Sequence, residues 1–143
     1  TTREIVTRMA HEKPGATSNQ TVRSVHWGKG TGNFLGRIDV VRDAQKTDAA
    51  QSFKGLLLEK GASVNSVPQL EIYADDVQCA HGASVGQLDE NARFYMAARG
   101  LPPETIRRLL VQAFIGDATR ELADEATREA LLEKALDKLE ERA

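Results

Sequence analysis

The chain has 143 residues, with 19 Lys and Arg against 21 Asp and Glu, a formal net charge of −2 and a single cysteine. That length suits one domain, or one domain with an appendage, and is enough to bury a core without disulfides or a structural metal. The basic residues are scattered, which argues against a nucleic-acid surface; one cysteine excludes a disulfide-built fold; and no apolar run approaches the roughly 20 residues needed to cross a bilayer.

From residue 1 to about residue 87 the pattern is strand-like. Short alternating or β-branched runs occur at 5–7, 21–27, 34–41, 53–58, 70–73 and 77–80. Ile38-Asp39-Val40 and Leu70-Glu71-Ile72 alternate cleanly, so one face of each looks inward. There is no Asn-Gly or Asp-Gly step, the strongest short signal for a two-residue hairpin. Many short strands without hairpin chemistry suit a solenoid of stacked rungs as well as a sandwich.

After Leu88 the period becomes helical. Leu88, Ala92, Tyr95 and Met96 fall on one face, and Gly100 is a natural stop. Pro102 and Pro103 fit a first helical turn. Ile106, Leu109, Leu110, Ala113 and Phe114 then follow an unbroken i, i+3, i+4 spacing. A third helix is expected over about 124–142, with Asp124 as N-cap, an Asp124–Arg128 pair, and Leu132, Ala135, Leu136 and Leu139 as its apolar stripe. Its charged remainder reads as a solvated face. The expected division is therefore 1–87 and 88–143.

Several motifs carry no chemistry. Gly28-Lys29-Gly30-Thr31-Gly32 lacks the spacing of a phosphate loop, and a dinucleotide pattern started at Gly28 or Gly30 meets Asn33 or Leu35 where glycine is needed. A glycine-rich turn accounts for it. Asp75-Asp76 lacks the alternately spaced oxygens of a calcium loop and reads as a turn or strand cap. His11 and His26 have no acidic or cysteine neighbours at useful spacing and read as surface or structural histidines.

Cys79-Ala80-His81 is different. In a strand, residues two apart share a face, about 6–7 Å from each other. A thiolate and an imidazole so placed could share a metal ion or cluster edge, or form a nucleophilic dyad. Val77 lies on the same face, and spacing alone favours a cysteine that simply fills the core. Two ligands also fall short of the four a closed site takes, so further ligands would have to come from a partner chain.

The nineteen residues from Pro68 to Gly86, PQLEIYADDVQCAHGASVG, resemble the signature of the SufB/SufD family, scaffold subunits of the SUF machinery for iron–sulfur cluster assembly. Gly36-Arg37-Ile38-Asp39-Val40, Ala44-Gln45-Lys46-Thr47-Asp48-Ala49, Leu56-Leu57-Leu58, Asn65, Phe94-Tyr95, Arg99-Gly100-Leu101-Pro102 and Gln112-Ala113-Phe114 extend the resemblance over most of 36–114. Val77-Gln78-Cys79-Ala80-His81-Gly82 and Gly86-Gln87-Leu88-Asp89 are similar to the SufD branch.

That resemblance implies a mainly β fold: right-handed parallel β-helix (solenoid) rungs followed by a C-terminal helical segment. It implies a non-enzymatic scaffold subunit that pairs with a SufB-like partner. It further implies docking of a SufC-like ABC-type ATPase through helices at about 89–117, with Phe94, Tyr95, Ile106, Leu110 and Phe114 as candidate contacts. Cys79 and His81 become candidate contacts for a nascent iron–sulfur cluster or iron at a partner interface. Whether a flavin binds stays open. The chain reads as the last rungs and cap of a longer protein, and its uncovered rung predicts self-association, a homodimer for example. The polar start Thr1-Thr2-Arg3-Glu4 lacks the apolar stretch of a signal peptide and, with the single cysteine, points to the cytoplasm. A structural module with no metal role and a Cys/His enzyme stand as the alternatives.

Overall fold

The computed structural model describes residues 1–141, in two compact units, Thr1–Gly86 and the described residues from Gln87 onward. The first unit is built from β1 (Thr2–His11), β2 (Thr17–His26), β3 (Thr31–Val40), β4 (Asp48–Leu57), β5 (Ser63–Ile72) and β6 (Gln78–Gly86). These form two three-stranded sheets ordered β1-β3-β5 and β2-β4-β6. Every pairing is parallel.

Successive strands therefore alternate between the sheets. Thr2 stands beside Thr31 and Thr31 beside Ser63, while Thr17 stands beside Asp48 and Asp48 beside Gln78. Parallel neighbours need a crossover instead of a tight hairpin, and here the crossover is a strand of the other sheet. This is why the sequence carries no hairpin steps, and it removes the antiparallel sandwich as an alternative.

The central strands build the interior. Gly32, Phe34, Gly36, Ile38 and Val40 of β3 are buried, as are Ala49, Gln51, Phe53 and Gly55 of β4. The period of two puts each set on one face. Phe34 and Phe53 stack with ring centroids 4.7 Å apart and planes 6° from parallel, so the two inner faces meet. Ile38, Val40, Ala44, Ala49 and Ala74 form a buried cluster, with Met9, Leu70, Val77 and Cys79 packed against it. Strands β1 and β6, at sheet edges, are mostly exposed. Pro68 lies in β5, also an edge strand, where the missing N–H costs no ladder bond.

An ionic clamp ties β1, β3 and β5 together. Arg8 Nε donates to Asp39 Oδ2 at 2.7 Å, Arg37 Nε to Asp39 Oδ1 at 2.6 Å, and Arg37 Nη2 to Glu71 Oε2 at 2.7 Å. The turns are stacked as well. Lys46, at φ 64°, donates its N–H to Asp76 O at 2.6 Å, and Gly15 N donates to Gln45 O at 2.9 Å. The glycine-rich segment is the β2–β3 turn: Gly28 takes φ 61°, and Gly32 leaves room for His26, whose Cε1 would lie 2.0 Å from an added Cβ.

The second unit holds α1 (Glu90–Ala98), α2 (Pro103–Gly116) and α3 (Glu125–Glu140). Asp89 caps α1 by accepting from Asn91 N and Ala92 N. Gly100, at φ 84°, turns the chain out of that helix, and Pro103 opens α2 at a position where no N–H is missed. Helix α2 contacts both neighbours, with Ile106 and Val111 buried on it and Leu136 buried on α3. Arg108 and Glu140 pair between α2 and α3. Asp124 caps α3, turning its carboxylate to Thr127 rather than to Arg128. The expected end of this helix at Arg142 lies outside the described residues.

Candidate functional site

Cys79 and His81 both lie on β6, the edge strand of β2-β4-β6. Their ladder partners on β4 are Ala49 and Gln51, which are 1 % and 3 % exposed. The pair thus continues the interior face of the sheet at the point where the sheet ends. Cys79 is half-buried and packs against the Ile38–Ala49 cluster. His81, two residues further along, is exposed.

Burial pushes the Cys79 thiol above its ordinary range; a hydrogen bond from the Ala49 backbone works the other way, and the Asp48 carboxylate adds to the rise. A neutral thiol is a poor nucleophile, whereas a dyad enzyme needs a thiol held low. Sulfur and nitrogen donors on one strand face do suit iron or an iron–sulfur edge. Among the described residues no group of three or more His, Cys, Asp or Glu could hold a metal ion. Cys79 and His81 are thus two candidate donors, and the described residues group no third with them.

The other sequence candidates fall into place individually. His11 is buried, its Nε2 hydrogen-bonded with Ser18 Oγ at 2.8 Å. His26 Nε2 bonds with Ser24 Oγ at 2.8 Å, and burial lowers the His26 pKa. Asp76 donates its N–H to Gln45 Oε1 at 2.8 Å and pairs its carboxylate with Lys46, as a turn residue. On the helices, Phe94 is 78 % and Tyr95 57 % exposed, with the Arg99 guanidinium 3.4 Å above the Tyr95 ring. Leu110 and Phe114 are half-buried, and Ile106 is buried within the helical unit.

A row of polar residues inside the sheets escaped the sequence reading. Gln51 Nε2 donates to Gln20 Oε1 at 3.0 Å, and Thr7 Oγ1 donates to the same oxygen at 3.4 Å. Polar side chains at inward positions imitate an outward face, so alternation alone assigns them to solvent. The signal that could have found them is the equal placement of Gln20 and Gln51, each two residues before an apolar inward residue, Val22 and Phe53.

The family model described as SUF system FeS cluster assembly, SufBD core domain, matches residues 1–114. The iron–sulfur cluster assembly protein SufD of Escherichia coli is 38 % identical over 126 residues, covering 88 % of this chain and 30 % of the relative. The chloroplastic protein ABCI7 of Arabidopsis thaliana is 44 % identical over 98 residues, covering 65 % of this chain and 21 % of the relative. The SufD protein of Bacillus subtilis is 30 % identical over 131 residues, covering 81 % and 30 %. The chain spans less than a third of the length of each of these relatives. Among the described residues no helix is long and apolar enough to cross a membrane.

Proposed function

Because the chain belongs to the SUF-system iron–sulfur cluster assembly family through its SufBD core domain, we propose that it works as a SufD-like scaffold and not as an enzyme. In this reading the two parallel sheets are the last rungs of a right-handed parallel β-helix, the form in which each rung buries itself against the next. Cys79 and His81 lend one sulfur and one nitrogen to iron or a nascent cluster, which is cargo here and not a resident cofactor. A SufB-like partner supplies the remaining ligands.

The observation that carries this reading is the placement of the pair. Two donors of the right chemistry lie on one face of an edge strand, and the described residues offer no third. The raised thiol pKa supports it against the dyad enzyme, since metal can displace the proton that would keep the sulfur inert. The contact of Cys79 with the buried cluster also supports a purely structural cysteine, and cluster formation by an assembled Cys79→Ala/His81→Ala variant separates the two.

The helical unit serves in this account as the dock for a SufC-like ABC-type ATPase, through exposed Phe94 and Tyr95 on α1. Co-expression of the chain with SufB-like and SufC-like proteins tests the assembly. The expected result is a complex of all three. The double variant Phe94→Ser/Tyr95→Ser should lose the ATPase and keep the SufB-like subunit. Recovery of the chain with neither partner contradicts the proposal.

A further inference from the structure

Gln51 is 3 % exposed, and its amide is only half used. Nε2 donates to Gln20 Oε1 at 3.0 Å across the β2–β4 ladder. Oε1 is buried and has no hydrogen-bond partner. An orphaned buried carbonyl costs free energy and calls for a donor.

The neighbouring positions narrow the choice. Facing the amide from the other sheet is Gly36, where an added Cβ would lie 2.3 Å from Gln51 Nε2, together with the ring of Phe34. The ladder neighbour of Gly36 on β5 is Pro68. None of these side chains can donate, and the Ser66 hydroxyl of β5, in register with Phe34 and also buried without a partner, makes no bond to the amide. In an amide ladder each side chain donates to one rung and accepts from the next. Gln51 donates toward β2, so the donor to its Oε1 belongs to the β6 rung. The residue in register with Gln51 on β6 is His81.

We infer that Gln51 is a positioning residue for His81: the imidazole, exposed and unbonded to Gln51 in this structure, turns inward to donate its N–H to the buried, unpartnered Oε1, which fixes one tautomer and leaves the lone pair of the other ring nitrogen free for a ligand. This rests on the reading of His81 as a cluster or iron donor. Metal-binding histidines generally donate their second ring N–H to an oxygen acceptor, which orients the ring and raises its basicity. Gln51 supplies that acceptor from the adjacent strand, and its amide is held by Gln20, whose Oε1 also accepts from Thr7.

The test is long-range proton–nitrogen NMR of the His81 ring in the 143-residue chain, recorded at a pH where the ring is neutral. The expected wild-type spectrum shows one dominant tautomer. Gln51→Met removes the acceptor at similar volume and should restore the averaged tautomers of a free imidazole, while Gln51→Glu keeps an oxygen in place and should retain the single form. Trp27 fluorescence reports whether each variant is folded, and the wild-type spectrum decides the matter should Gln51→Met fail to fold. Averaged tautomers in the wild type, or a single tautomer unaltered in folded Gln51→Met, overturn the inference even if His81→Ala abolishes cluster assembly. A single tautomer lost in Gln51→Met upholds it even if His81→Ala leaves assembly intact, in which case only the role given to His81 falls.

Discussion

Gly36→Ala probes the interior where the two sheets meet the candidate site. A Cβ there would lie 2.3 Å from Gln51 Nε2, 2.6 Å from Phe34 Cζ and 2.7 Å from Gln51 Cδ. The Phe34 ring has little room to retreat, because it stacks on Phe53 at 4.7 Å. The Gln51 amide can move only by giving up its 3.0 Å bond to Gln20 inside the protein. Overpacking of this kind, with a buried hydrogen bond lost, costs about 2–4 kcal/mol. Alanine recovers about 0.5–1 kcal/mol of backbone entropy over glycine in a strand, which leaves a net loss of about 1–3.5 kcal/mol. With a urea slope of about 2 kcal/mol/M, the midpoint should fall by about 0.5–1.75 M. Trp27, the single tryptophan, lies in the first unit and follows its unfolding. In a Gln51→Ala background the same substitution should cost less, since the obstructing amide is gone and only the Phe34 ring still opposes the added Cβ. A midpoint within about 0.2 M of wild type, or full additivity of the two changes, would refute the packing argument.

Two further outcomes follow from charge and burial. Hydrogen bonds from Arg37 and Arg8 hold the Asp39 carboxyl below its ordinary range. A depressed carboxyl contributes stability that is fully present above its unfolded pKa and is lost as pH falls through the folded one. Urea midpoints measured from neutral pH down into the acid range should therefore drop more steeply for wild type than for Asp39→Asn, and parallel profiles would contradict the clamp. Burial raises the Cys79 thiol, so iodoacetamide should label it more slowly at neutral pH than an unstructured thiol, and faster once the chain is unfolded in urea. Native labelling as fast as that of a free thiol would show an activated or fully open sulfur.

The sequence made some elements plain and hid others for physical reasons. Gly100, Pro102 and Pro103 punctuate the helices, and the spacing of Ile106, Leu109, Leu110, Ala113 and Phe114 marks α2, which runs Pro103–Gly116. Tyr95, placed by spacing with Ala92 and Met96, lies outside their half-buried stripe with Arg99 over its ring. The strand runs were found, but short. The first half of β4, Asp48 to Ser52, has Ala49 and Gln51 as its inward residues, too small or too polar to read as a core face. The first half of β5 is polar and leads into Pro68, which is tolerated there only because the strand is an edge.

The site was legible to the same degree. A period of two placed Cys79 and His81 on one face without any structure. That this face is the interior one, above Ala49 and Gln51, depends on a parallel register between residues far apart in sequence, and no local pattern carries that. The same holds for the ladder from Thr7 through Gln20 to Gln51.

The central claim is that Cys79 and His81 together lend ligands to a cluster completed by a partner. The direct measurement is anaerobic reconstitution with iron and sulfide on the complex with SufB-like and SufC-like partners, following the visible absorption of the cluster. The Cys79→Ala/His81→Ala variant should purify with both partners and form far less cluster than wild type. Cluster formation at the wild-type level by that assembled variant would contradict the account.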